Sequence, residues 1–213
     1  MKPEYFGVVA SLCNGEVARQ SEELVKVLET AFHEGKMIFI FGNGGSGATA
    51  SHFCEDLGKG TLKSCDDGKR FKAISLTDNA SYILAWANDE GYDTIFEQQL
   101  RNLAEPGDVA IGISGSGNSK NVLKAITYAN ETGLVTVGLT GFDGGELRRL
   151  VHHCVHIPVH DMGIAECLHL IVAHYVVDTL RRRIHQRGEK EIGVTIVGEK
   201  EIFKEVEVVK ISA

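Results

Sequence analysis

The chain has 213 residues, of which 43% are hydrophobic, with 24 glycines, three prolines and a formal net charge of −7. That length suits one α/β domain with a full core plus appendages, and is short for two. The negative balance excludes broad binding to nucleic acid or to an anionic membrane, each of which needs a basic face, so a phosphorylated ligand has to be held by local dipoles and donors.

Tyr5 to Cys13 is apolar but too short to span a bilayer, and the acidic, polar run after it is unlike a signal-peptide cleavage region. Glu16 to Glu34 sets Val17, Leu24, Leu28, Ala31 and Phe32 at helical spacing, and Gly35 ends that helix. Met37 to Phe41 reads as the first strand. It leads into Gly42-Asn43-Gly44-Gly45-Ser46-Gly47 and a helix from about Gly47 to Leu57, with Gly58 as its stop. Gly60 to Arg70 is a polar surface loop, and Phe71 to Leu76 is the second strand. Helical patterns follow at Ala80 to Ala87 and Asp93 to Ala104, closed by Glu105-Pro106-Gly107.

The third strand is Asp108 to Ile113, the fourth Val135 to Leu139 and the fifth Cys154 to Val159. Helices at Lys120 to Asn130 and Gly145 to Leu150 separate them, and the last helix runs from about Ile164 to His185. Short apolar strands alternating with helices make a parallel sheet covered on both faces. From Gln186 onward, Val and Ile alternate with Lys and Glu, which suggests two short strands turning near Gly198-Glu199, a packing or oligomer appendage. The division is therefore an N-terminal helical segment (1–35), an α/β domain (36–185) and a C-terminal β-like tail (186–213).

Two stretches carry the chemistry. Gly112-Ile113-Ser114-Gly115-Ser116-Gly117-Asn118-Ser119 is a strand end, a tight turn and a helix N-terminus, where serine hydroxyls and free first-turn amides point donors at one place. Such a nest suits a phosphate. The loop Gly42 to Gly47 is of the same kind. In a doubly wound, flavodoxin-like sheet of order 2-1-3-4-5, the first and third strands are neighbours and the winding reverses between them, so both loops border one crevice.

His52 and Asp56 lie four apart on one helix face, the spacing by which metal sites draw two ligands from one helix. Glu166, His169 and His174 interrupt the apolar run of the last helix; for a single one of them, a satisfied core histidine is the ordinary outcome. His152, His153, Cys154 and His156 look metal-like by composition, but strand alternation splits them between two faces, so they read as structural. Asn88-Asp89 reads by pattern as a helix C-cap and turn. Cys13, Cys54, Cys65, Cys154 and Cys167 form no CxxC and leave one unpaired, which fits reduced thiols in a cytoplasmic protein.

Taken together, these motifs resemble the sugar isomerase (SIS) family and, within it, the phosphoheptose isomerases, over roughly Lys36 to Arg183. The resemblance rests on Gly42-Asn43-Gly44-Gly45-Ser46, His52-Phe53, Ala87-Asn88-Asp89, the serine loop from Gly112 to Ser119, Leu139 to Gly145, and Glu166 with His174. It implies aldose–ketose isomerisation of a seven-carbon sugar phosphate through an enediol, a zinc ion, and a homotetramer with interfacial sites. By the same resemblance, Asn43, Gly44, Gly45, Ser46, Asn88 and Asp89 contact the sugar, and Ser114, Gly115, Ser116 and Ser119 hold its phosphate. His52, Asp56, Glu166 and His174 fall at the metal positions, with Asp56 and Glu166 touching substrate as well.

Two of these depart from the family pattern: Asp56 stands where the family has a glutamate, and Glu166 where it has a glutamine. The family's arginine after this helix matches Gly60, with Lys59 beside it. The isomerisation needs a base at carbon, an acid at oxygen and something to hold enediolate charge. Asp56 is the base, or Glu166 if Asp56 is committed to metal, and His174 is the proton shuttle. One alternative is a non-catalytic SIS module that binds a sugar phosphate or a replication initiator. A dinucleotide enzyme is the other, but the first loop lacks GxGxxG spacing.

Overall fold

The computed structural model describes residues 5–13 and 15–185, so the expected strand pair around Gly198-Glu199 lies outside the described residues. Strand β1 (Met37–Gly42) is flanked by β2 (Lys72–Ser75) and β3 (Val109–Ser114), and β4 (Val135–Thr140) and β5 (His153–His156) follow outward. All four pairings are parallel, so the order is the expected 2-1-3-4-5. Alternation along the strands sorts the core into two layers. Ile38, Ile40, Ile111 and Val137 face one side, where α2 (Glu16–Glu34), α3 (Gly44–Glu55) and α8 (Met162–His185) pack. Phe39, Phe41 and Ala110 face the other, covered by α5 (Glu97–Leu103), α6 (Lys120–Glu131) and α7 (Leu147–Leu150), with Trp86 of α4 (Ala80–Asp89) at its margin. Each large side chain so buried contributes about 1.5–3 kcal/mol.

Several boundaries differ from the sequence expectation for identifiable reasons. The apolar patch near the N-terminus is a helix, α1 (Tyr5–Leu12), which packs Val8, Val9 and Leu12 on the core and leaves Phe6 83% exposed. Helix α3 begins inside the glycine loop, at Gly44, and does not stop at Gly58. A left-handed stop needs positive φ, which Gly58 does not adopt. The chain instead widens into a π-helical turn, Asp56–Gly60, and the Thr61 hydroxyl donates to the Leu57 carbonyl at 2.7 Å. The expected helix from Asp93 is a 3-10 turn, Tyr92–Thr94, followed by α5, because Ile95 and Phe96 are drawn into the core at the junction.

Helix α8 is long and apolar enough to cross a membrane by length and composition, yet half of its apolar window is buried inside the fold. Ile164, Leu168, Val172, Val176 and Leu180 recur at helical spacing on the buried face.

The same helix buries His169 completely, with neither ring nitrogen hydrogen-bonded. The expectation of a satisfied core histidine thus holds for its burial and fails for its bonding. Burial pulls its pKa down from 6.5 to about 4, an effect only partly offset by the Thr140 backbone, which lies close but outside hydrogen-bonding geometry. The sign follows from proton counting: between pH 6.5 and 4 the unfolded chain binds the proton that the folded chain refuses, so stability falls as pH falls through that window and is unaffected above it. The full cost is about 3 kcal/mol. Urea unfolding at pH 7 and pH 4.5 is expected to show a loss roughly 2–3 kcal/mol smaller in His169→Gln than in the wild type. Equal losses would assign the acid sensitivity to other groups.

Candidate active site

The carboxyl ends of β1 and β3 meet as the topology requires: Gly42 pairs with Ile113, and the loops beyond them share one crevice. In the second loop the chain turns at Gly117, whose φ is +68°. A side chain there would collide with the Gly144 carbonyl, and the Gly117 carbonyl accepts from the Leu147 amide at 2.9 Å, so the loop is braced from behind. Ser119 is the N-cap of α6, yet its hydroxyl makes no capping bond; it lies 3.1 Å from the Ser114 hydroxyl. Of the first-turn amides of α6, that of Val122 donates to Asn121 Oδ1, and those of Lys120 and Asn121 face the loop without a side-chain cap, an arrangement that suits an anion. The Ser116 hydroxyl accepts from the Asn118 amide at 3.2 Å and retains a proton to donate. Gly115 lies beneath the Met162 side chain, which leaves no room for a Cβ.

The first loop is built differently. Asn43 is the N-cap of α3 but does not cap it; its amide reaches across to Asn121, and the Tyr92 hydroxyl donates to its Oδ1 at 2.9 Å. Gly44 takes φ +53°, and both Gly44 and Gly45 are exposed. The Glu166 carboxylate fills the space that a Gly45 Cβ would occupy, so it sits against the N-terminal turn of α3, where a negative charge is favoured. Among the described residues it has no hydrogen-bond or ion-pair partner. Ser46, expected to face substrate, is buried against Gly42.

Further along the same helix pair, His52, Asp56 and His174 converge. Asp56 Oδ2 is 3.4 Å from His52 Nε2 and 3.6 Å from His174 Nε2, and the two imidazole nitrogens are 3.3 Å apart. Donor atoms bound tetrahedrally to zinc at about 2.0–2.1 Å stand about 3.3–3.4 Å from one another, so the spacing of these three is compatible with one metal ion held by all of them. The π-helical turn begins at Asp56, where α3 ends. Glu166 is not in this group. It precedes His174 by eight residues on one continuous helix, about 12 Å along the axis. Within one protomer the expected four-ligand set is therefore a trio carrying one negative charge, with Glu166 set apart at Gly45.

Asn88 and Asp89 are the last two residues of α4 rather than its cap and turn, which fall at Glu90 and Gly91. Both are exposed, and the Asn88 amide donates to Asp89 Oδ1 at 2.7 Å. Among the described residues no hydrogen bond joins them to the loops, but the 3-10 turn just after them carries Tyr92 to Asn43. Tyr92 and Asn121 escaped the sequence reading. A buried polar residue in the first turn of α6, immediately after the serine loop, was the available signal for Asn121. The His152 to His156 cluster is split as strand alternation requires. His153 lines a cavity of about 320 Å³ beside α2, while His156 turns the other way, 3.1 Å from the Thr140 hydroxyl.

A doubly wound sheet with an anion nest and a glycine loop at its switch point, plus a His–Asp–His trio on the adjoining helices, defines an α/β protein suited to a phosphorylated small molecule. The family model for the SIS domain matches residues 4–141. The chain belongs to this family and, within it, to the phosphoheptose isomerase group. The phosphoheptose isomerase of Aquifex aeolicus is 36% identical over 172 residues, covering 80% of this chain and 88% of that protein. That of Helicobacter pylori is 40% identical over 173 residues, covering 81% and 87%. The solved phosphoheptose isomerase of Neisseria gonorrhoeae superposes with a TM-score of 0.76 at 27% identity, covering 83% of this chain and 92% of that one.

Proposed function

We propose that the protein interconverts sedoheptulose 7-phosphate and D-glycero-D-manno-heptose 7-phosphate through an enediol, as an aldose–ketose isomerase. The observation that carries this reading is the placement of the unengaged Glu166 carboxylate at the glycine loop, in the crevice that also opens on the serine nest. The relatives named phosphoheptose isomerase at 36–40% identity support the same substrate. The phosphate binds to Ser114, Gly115, Ser116 and Ser119, and the sugar hydroxyls to Asn43, Gly44 and Gly45, with Asn88 and Asp89 at the outer rim. Glu166 takes the proton from one carbon of the C1–C2 pair and delivers it to the other, so one carboxylate serves both carbon steps, while the hydroxyl proton passes between O1 and O2 of the enediol by exchange with water.

His52, Asp56 and His174 are the residues that would hold a zinc ion, whose chemistry is to polarise the carbonyl and stabilise enediolate charge. This draws His174 from the expected shuttle role into the trio, and it satisfies the condition under which Glu166 rather than Asp56 is the base. About 12 Å of helix separates Glu166 from the trio of its own chain. The reading therefore includes a homo-oligomer, a tetramer by resemblance, in which the trio of one copy completes the crevice of another. Its exposure fits: the His52 and His174 side chains are 45% and 52% exposed, beside Ile171 and Tyr175 on the same helix. Five free cysteines fit a reducing cytoplasm.

The test is an assay of the purified protein on sedoheptulose 7-phosphate. Ser119→Ala is expected to raise KM by about 10- to 100-fold with kcat little changed, since a hydrogen bond to an anion is worth about 1.5–3 kcal/mol. Absence of turnover in a metal-replete wild type would overturn the reading, and an unchanged KM in Ser119→Ala and Ser116→Ala would move the phosphate out of the nest.

A further inference from the structure

Between the two loops lies a closed pair of hydrogen bonds. The Asn43 amide donates to Asn121 Oδ1 at 2.9 Å, and the Asn121 amide donates back to Asn43 Oδ1 at 2.9 Å. Each end is fixed by a further bond. The Val122 amide donates to Asn121 Oδ1 at 2.9 Å, and the Tyr92 hydroxyl donates to Asn43 Oδ1 at 2.9 Å. Asn121 is only 2% exposed, so its side chain is held inside the protein rather than offered to a ligand in the crevice. Asn43 forgoes the local N-cap bond that asparagine ordinarily makes; its Oδ1 and one amide proton belong to this bridge, and the second amide proton is left for the sugar.

We propose that Asn121 and Tyr92 are positioning residues that set the distance between the sugar-facing glycine loop and the phosphate nest, and so the chain length of the sugar phosphate that fits. Strand pairing fixes β1 against β3 only as far as Gly42 and Ile113; beyond those residues the two loops are free to diverge unless something ties them. The tie runs from the N-cap of α3 to the first turn of α6, from the helix that presents Gly44 and Gly45 to the helix whose open amides form the nest. The ring closes because each carboxamide donates and accepts at once. A fixed spacing rewards the one substrate that spans it, whereas slack loops accept several lengths at lower affinity. This rests on the phosphosugar reading of the crevice.

The experiment compares wild type, Asn121→Asp and Tyr92→Phe on sedoheptulose 7-phosphate and on a five-carbon ketose phosphate, with inorganic phosphate as a competing probe. Aspartate keeps the acceptor for Val122 and removes the donor to Asn43. We expect Asn121→Asp to raise KM for the seven-carbon substrate about 10-fold with kcat changed less than about 3-fold. The preference for seven over five carbons should fall by a similar factor, and in Tyr92→Phe, which adds no charge near the nest, the inhibition constant of inorganic phosphate should stay the same. Tyr92→Phe, at a half-exposed position with little bearing on folding, should shift the same ratio in the same direction by about 3-fold. An unchanged ratio in Tyr92→Phe, or phosphate inhibition weakening in step with KM in Tyr92→Phe, would overturn the proposal, the latter by making the bridge a support of the nest alone. If the wild type turns over neither sugar, the isomerase reading fails, and the spacing proposal is decided by the ratio of dissociation constants of the two sugar phosphates from thermal shift.

Discussion

Glu166→Gln is expected to lose about 10²- to 10⁴-fold in kcat, the usual contribution of a positioned general base, while keeping its metal and a KM within a few-fold of wild type. Glutamine has the same shape and fits the same space at Gly45, so the change removes the proton acceptor and little else. The opposite pattern is expected of Asp56→Asn, whose carboxylate stands 3.4–3.6 Å from both imidazoles: metal should fall together with activity. A metal-replete Glu166→Gln enzyme with wild-type kcat would return the base to Asp56. The same variant reads the assembly. Mixed with inactive His174→Ala subunits and allowed to exchange, it should regain activity if crevices are shared as proposed, because hybrid oligomers would then pair an intact Glu166 with an intact trio from the other chain. Exchange verified by mass spectrometry without any recovery would place both residues in one protomer's site.

His174→Ala is the second large effect. The protein as isolated is expected to carry about one zinc or similar divalent ion per chain, and the variant to carry none, with kcat/KM reduced by at least about 10³-fold, as loss of several kcal/mol of charge stabilisation implies. Elemental analysis reads the first part without any assay. A chelator should lower the melting temperature of the wild type and leave that of the variant unchanged, since a ligand present at 100 times its dissociation constant adds about 2.7 kcal/mol to the folded state. His52→Ala should behave alike, because both imidazoles belong to the same donor trio. A metal-free wild type that isomerises at full rate would remove zinc from the reaction.

Local pattern in the sequence determined the sheet and the nests. Short apolar strands broken by glycine turns imply parallel pairing and a switch point between the first and third strands, and a serine-rich turn before a helix supplies donors whatever surrounds it. Boundaries slipped where glycine was read as punctuation: Gly58 stays helical because a π turn absorbs it, and α3 starts at Gly44 because the loop glycines are themselves the first turn. Spacing along one helix identified His52 with Asp56, since that is a local fact. It could not tell which residues of α8 would meet them. That depends on how α3 and α8 run side by side, which brings His174 to the pair and sets Glu166 at Gly45. Nor could it find the Asn43–Asn121 bridge or the unsatisfied His169: a side chain's partners across 78 residues of sequence, or their absence in a packed core, are decided only when the tertiary fold brings distant surfaces into contact.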